Sequence, residues 1–228
     1  GKEDMQLSGI NFKKSLNSVR SPMKTSSFIV KFFFSSMAFL GGMAVEILSK
    51  FLEKTPVITL PFNLGSFNFG NFLGGFTVIA LIGMIVSAYS RSHLRAVLNT
   101  FLLYSGMLAG HYLYCIIFSK VIPDISYLTT WVIFIVISPL LGLMCWYAKG
   151  KGIASILLSA IIITFMFMQA FDVGLFYISF KNSILDYIIW TASIVVLFRD
   201  IKQSLISVGI SIPIAFIYVF MTASIPYL

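Results

Sequence analysis

Charge is scarce in this chain. Only 11% of its 228 residues are Asp, Glu, Lys or Arg, and just eight of them are acidic. An ordinary globular chain is about a quarter charged and roughly half apolar. Here 58% of residues are apolar and mean hydropathy is +0.96. So little polar material cannot cover a water-facing globule, which excludes a soluble enzyme, a disordered chain and a free nucleic-acid binder. Two cysteines, Cys115 and Cys145, are too few for a disulfide scaffold. The only histidines, His93 and His111, would stand about 27 Å apart on a straight helix and cannot share a metal. No G-x-S-x-G elbow, H-E-x-x-H pair, Walker loop or glycine-rich dinucleotide turn occurs. The acidic motif pairs of membrane prenyltransferases and the paired glutamates of intramembrane CAAX-type proteases are also missing. The expectation is therefore no recognised catalytic residue, no cofactor and no metal.

What remains is a set of long apolar runs. Seven follow a polar, basic stretch of 27 residues, at 28–48, 73–89, 94–118, 127–148, 153–176, 184–198 and 204–220. Each is to be compared with the ~20 residues that cross ~30 Å of hydrocarbon. The sixth, with Asp186 inside it, spans only obliquely or as a half-helix. The fold expected is an all-α membrane bundle, a single transmembrane domain over 28–228. Ahead of it, 1–27 reads as an interfacial helix. Phe12, Leu16, Val19 and Met23 share one face there, with Lys13, Lys14, Arg20 and Lys24 around the rest, and Pro22 ends the helix. Its basic face suits anionic lipid, although a solvated basic tail is the plainer reading. The first apolar run is too long for a signal-peptide core and is expected to stay as a span.

Charge placement sets the orientation. With a cytoplasmic N-terminus, the inner segments carry Lys2, Lys13, Lys14, Arg20, Lys24, Arg91, Arg95, Lys149, Lys151, Arg199 and Lys202, and the outer ones carry Lys50, Lys54, Lys120 and Lys181. That asymmetry has the sign of the positive-inside rule and gives N-terminus in, C-terminus out. It also explains the net charge of +8 without nucleic acid. The inner turns at 90–93, 149–152 and 199–202 are too short for a cytoplasmic domain, whereas the aromatic, Asn- and Gly-rich loop 51–72 lies outside.

Ionisable groups at membrane depth are the first candidates, because they cost free energy and tend to mark function. Glu46, His111, Gln169 and Asp172 fall at similar depth toward the outer face of three spans. If they converge they form a substrate-binding pocket in which His111 answers to pH. Otherwise each holds its head group in interfacial water. Ser138-Pro139 and Ser211 with Pro213 are candidate helix breaks along a pathway, or ordinary membrane-helix kinks. Gly106-x-x-x-Gly110 and Ser155-x-x-x-Ser159 are spacings for close helix packing. Asn99 reads as interhelical glue, and Tyr127, Trp131, Trp146 and Tyr147 as an aromatic belt at the span ends.

Two stretches, 99–108 (Asn-Thr-Phe-Leu-Leu-Tyr-Ser-Gly-Met-Leu) and 138–152 (from Ser-Pro-Leu-Leu-Gly-Leu to Lys-Gly-Lys-Gly), carry a resemblance. From the second span onward the chain resembles a group of small polytopic membrane proteins of low-GC Gram-positive bacteria. The resemblance implies a bacterial plasma membrane and no particular chemistry. The leading functional expectation is a transporter or permease-type component for a small molecule or ion. A non-catalytic anchoring, assembly or sensing subunit, bound to a membrane protein partner or to a second copy, comes second, and an intramembrane enzyme third.

Overall fold

The computed structural model describes residues 17–23, 27–54, 75–120, 125–181 and 184–223. Seven α-helices account for most of them: α1 (Phe28–Lys54), α2 (Phe76–Ala88), α3 (His93–Tyr114), α4 (Ile125–Ala148), α5 (Ile153–Ala170), α6 (Ile184–Leu197) and α7 (Ile201–Ala223). The final turn of α3 widens into a π-helix over Cys115–Ser119, ending at Lys120 in the left-handed region with φ 53°. Five helices are long and apolar enough to cross a membrane: those over Phe28–Glu53, His93–Ser119, Ile125–Ala148, Ile153–Ala170 and Ile201–Ala223. The chain is thus a helical bundle of multi-pass membrane type. The remaining two, α2 and α6, have 13 and 14 residues. At ~1.5 Å per residue they reach about 20 Å, well short of the hydrocarbon thickness. Shortness anticipated for the sixth run therefore holds for the second as well. Within 1–27 only 17–19 are described as helical; Phe12, Leu16 and residues 55–74 lie outside the described residues.

One expectation is corrected. The fifth run does not continue as helix to Phe176 but stops at Ala170. Beyond it Phe171–Val173 (β1) pairs antiparallel with Ile178–Phe180 (β2), with Asp172 opposite Ser179. Gly174 closes the turn by donating its N–H to the Tyr177 carbonyl, and an added Cβ there would strike the Tyr177 ring. Aromatic and β-branched residues on both arms suit a pleated, half-buried ribbon. The Phe171 and Phe180 rings pack with centroids 5.5 Å apart, tilted by 53°, and the Trp190 ring of α6 lies 5.3 Å from Phe171.

Contacts divide the chain into two compact units, Thr25–Ser90 with Leu94–Leu143, and Gly1–Lys24 with Arg91–His93 and Met144–Leu228. In the first, α3 is the central helix. It runs parallel to α1, because Ser35 meets Asn99 and Glu46 meets His111 at nearly constant offset. Glycine permits the approach: a Cβ at Gly42 would overlap the Leu103 carbonyl, and one at Gly106 or Gly110 would overlap the Phe39 or Met43 backbone. On its other sides, Tyr104 of α3 donates to the Ile79 carbonyl of α2 at 3.3 Å and packs on Phe134 of α4 at 4.8 Å.

In the second unit α5 packs against α6 and α7 through small polar residues. Thr164 Oγ1 reaches the Ser211 carbonyl at 3.0 Å, and Ser207 Oγ reaches the Ile156 carbonyl at 3.3 Å. Ser155 and Ser159 both donate to the Ala148 carbonyl, at 2.5 and 2.8 Å, and so satisfy the end of α4 that no helical N–H can reach. Lys149 caps α6 through the Val196 carbonyl at 2.7 Å. Trp146 is not a belt residue: it is 1% exposed, against His93 at 5.8 Å and beneath the Arg20 guanidinium at 4.5 Å. Arg20 also donates to the Trp146 carbonyl at 2.6 Å. Burial, with Arg199 nearby, holds that guanidinium below its ordinary pKa.

Candidate functional site

The fold brings two of the four polar candidates into contact. Glu46 stands on the face of α1 that carries Gly42, and His111 follows Gly110 on α3. The same glycine contacts that let the backbones approach therefore carry these side chains together. His111 Nδ1 lies 2.9 Å from Glu46 Oε1, and the residues are 8% and 3% exposed. From the Lys31–Arg95 level at the start of both helices, the pair lies roughly 22–24 Å along the axes. For a helix whose span starts at that level, such a distance is shorter than the ~30 Å of hydrocarbon.

Two further groups complete the site. Tyr127 of α4 stacks on the imidazole with centroids 4.3 Å apart, and its hydroxyl lies 3.1 Å from Nδ1. Cys115 Sγ lies 3.6 Å from Nε2. If Glu46 is a carboxylate it can only accept, and the contact then requires the proton on Nδ1. In neutral His111 the Nε2 lone pair then faces the thiol, which donates to it. The arrangement is a carboxylate, an imidazole and a thiol in line, with the thiol on the first residue of the π-helical turn. One helical turn beyond Glu46, the Ser49 hydroxyl is buried with no hydrogen-bond partner among the described residues. An orphaned buried hydroxyl is uncommon and marks a place where a further polar group can be accommodated.

Gln169 and Asp172 belong to the other unit. Gln169 ends α5, where its carbonyl accepts from Lys181 Nζ at 3.1 Å, and Asp172 is an exposed residue of β1. Of the helix breaks, Pro139 lies inside α4 and Pro213 inside α7. Proline removes the N–H that would serve the carbonyl four residues earlier. For Pro139 that carbonyl is Ile135, and Ser138 Oγ donates to it at 2.8 Å from a fully buried position. Ser211 Oγ donates to Val208 at 2.7 Å, one residue away from the carbonyl that Pro213 frees. The Ser138-Pro139 break is thus internally satisfied.

No family model, curated protein or solved structure matches the chain. The site has to be read from its own geometry. From the sequence, Tyr127 reads as a belt residue and Cys115 as a cysteine with no assigned role. One signal for Cys115 was present, since it follows His111 by four residues and so shares its helical face. Among the described residues no group of three His, Cys, Asp or Glu side chains is arranged to hold a metal ion. Asn99 acts as the interhelical link that its type suggests. It accepts from Ser35 Oγ at 2.9 Å and donates to Ser90 Oγ at 3.3 Å.

Proposed function

We propose that this chain is a seven-span protein of a bacterial plasma membrane, N-terminus inside and C-terminus outside, that moves a small molecule or ion in exchange for protons. The observation that carries the reading is the buried Glu46–His111 pair inside helices apolar enough to cross a membrane. Such groups are expensive at membrane depth, and a proton pathway is one of the few uses that repays them. The parallel α1–α3 packing supports alternate crossings, because a chain that passes through three consecutive spans returns the third parallel to the first. In this reading α2 and α6 cross obliquely or through locally thinned bilayer.

His111 acts as the proton carrier, Glu46 fixes its tautomer and balances its charge, and Tyr127 covers the ring. Gln169 and Asp172 supply contacts for the transported species. Ser138 keeps the α4 break hydrogen-bonded. Anionic lipid holds the N-terminal basic segment.

The test is proton flux in liposomes containing the full chain, with an imposed membrane potential and an internal pH-sensitive dye. Wild-type chain should acidify or alkalinise the lumen faster than protein-free liposomes, and Glu46→Gln, which keeps shape but not charge, should abolish the difference. Asp172→Asn should impair it without loss of inserted protein. Flux equal to that of protein-free liposomes, with a partner protein recovered at constant ratio on purification, would replace transport by the subunit reading.

A further inference from the structure

Cys115 has no task in the transport reading, yet it stands at the end of a relay. Glu46 Oε1 lies 2.9 Å from His111 Nδ1, and His111 Nε2 lies 3.6 Å from Cys115 Sγ. A nucleophile within reach of a base that a third group orients is the arrangement of covalent acyl-transfer catalysts. Cys115 is half-buried, whereas Cys145 is 7% exposed. It opens the π-helical turn Cys115–Ser119, and such widened turns recur at functional sites. The next three residues, Ile116, Ile117 and Phe118, are 60%, 55% and 63% exposed, so this turn meets the medium around the helices. In a membrane that medium is lipid.

Ser49 adds an observation of a different kind. It lies one turn beyond Glu46, on the α1 face that also carries Gly42. At the offset that pairs Glu46 with His111 it stands level with Tyr114, the residue before Cys115. Its side chain is buried, the residue being 1% exposed, and the hydroxyl has no hydrogen-bond partner among the described residues. A buried donor without an acceptor, at the level of a nucleophile, suits an oxygen that gains negative charge during a reaction. A carbonyl attacked by sulfur produces such an oxygen.

We infer that Cys115 takes up a long-chain acyl group from an ester or thioester embedded in the surrounding lipid. Its sulfur adds to the acyl carbonyl carbon while the thiol proton passes to His111 Nε2. Glu46, at Nδ1, orients the imidazole and balances the charge it acquires. The Ser49 hydroxyl donates to the oxyanion. As the carbonyl re-forms, the bond to the carrier's oxygen or sulfur breaks, and Nε2 returns its proton to that leaving group. The products are an acyl thioester on Cys115 and the deacylated carrier, with no change of oxidation state and no further reactant. The exposed Ile116, Ile117 and Phe118 favour a hydrocarbon chain over a short acyl group that stays in water. The assignment goes beyond transport: it uses the Glu46–His111 contact and needs no proton flux.

Acylation of the full chain in lipid vesicles tests it, with no membrane potential or pH gradient imposed. Two probes carry the same alkyne-tagged palmitoyl chain, one as phosphatidylglycerol and the other as palmitoyl-coenzyme A. The label should map to Cys115, persist in Cys145→Ser and be released by neutral hydroxylamine, as a thioester is. Labelling from one probe alone identifies which carrier supplies the chain. His111→Ala should slow acylation about a hundredfold. Ser49→Ala should slow it to a similar degree, about a hundredfold, yet leave alkylation of Cys115 by iodoacetamide unchanged, because that displacement forms no oxyanion. The alkylation control keeps the test open if the His111 variant fails to fold. No label from either probe, equal label on Cys145, an undiminished rate in His111→Ala, or equal losses of acylation and alkylation in Ser49→Ala would each overturn the assignment. Acylation is read without flux, so a chain that moves no protons but is acylated at Cys115 leaves this site standing.

Discussion

Alanine at Gly42 should weaken the protein, and alanine at its neighbour Gly41 should not. The two lie side by side in α1 but face differently. A Cβ at Gly41 meets nothing within 4 Å, whereas one at Gly42 overlaps the Leu103 carbonyl and comes within 3.1 Å of the Met107 amide nitrogen. The obstruction is helix backbone, which cannot rotate away, so the α1–α3 separation must grow. Overpacking of this kind costs about 1–3 kcal/mol. Replacing glycine by alanine inside a helix returns roughly 1 kcal/mol of propensity at either position. Gly42→Ala should therefore be destabilising by about 0.5–2 kcal/mol, and Gly41→Ala neutral or stabilising by up to about 1 kcal/mol. Helicity followed during titration of mixed micelles with a denaturing detergent reads the difference as a shift in midpoint. Gly106→Ala, whose Cβ overlaps the Phe39 carbonyl, should behave like Gly42→Ala. Equal midpoints for Gly41→Ala and Gly42→Ala would refute the parallel contact, and with it the placement of Glu46 on His111.

Two other outcomes follow from hydrogen bonds, one set in each unit. His111→Ala removes the acceptor for the Cys115 thiol and should slow alkylation of Cys115 by a small maleimide about tenfold, since no base then stands beside the sulfur to take its proton as it attacks; peptide mapping separates Cys115 from the buried Cys145. Ser155→Ala and Ser159→Ala each leave the Ala148 carbonyl one hydroxyl partner and should be nearly silent, whereas the double substitution orphans it and should cost about 1–3 kcal/mol in the same micelle titration.

Much of the helical frame is legible from hydropathy and turn residues. The starts of α3, α4, α5 and α6 fall within two residues of the apolar runs that announce them, because charged or glycine-bearing turns such as Lys149–Gly152 punctuate the sequence there. The ribbon after Ala170 is not legible in the same way. Phe-Asp-Val-Gly-Leu-Phe-Tyr-Ile-Ser-Phe is apolar enough to prolong a span, and hydropathy alone does not separate a short strand from helix. Asp172 was consequently placed on a helix face when it belongs to β1.

The candidate site is half legible for a related reason. Depth follows from residue count, so Glu46 and His111 could be matched across two spans. Facing does not follow from count. It depends on which glycines allow α1 and α3 to touch, and although Gly106-x-x-x-Gly110 is an evident packing signal, its counterpart Gly42 is a single residue in an unremarkable run. Tyr127 comes from a third helix, and nothing in its local sequence says that it turns toward His111 and not toward lipid. The Ser35–Asn99 link was open to inference only as a generic polar contact, with Ser35 unidentified as the partner until the helices are seen side by side.

The hydrogen bond between Glu46 and His111 is the central claim, and ¹⁵N-labelled histidine reads it directly. With only two histidines in the chain, His93→Gln leaves a single imidazole spectrum from the membrane-embedded protein. The account predicts a protonated Nδ1 with its proton strongly deshielded by a carboxylate, and a shift of that proton on Glu46→Gln. A His111 spectrum protonated at Nε2 alone, or one unchanged by Glu46→Gln, would contradict it.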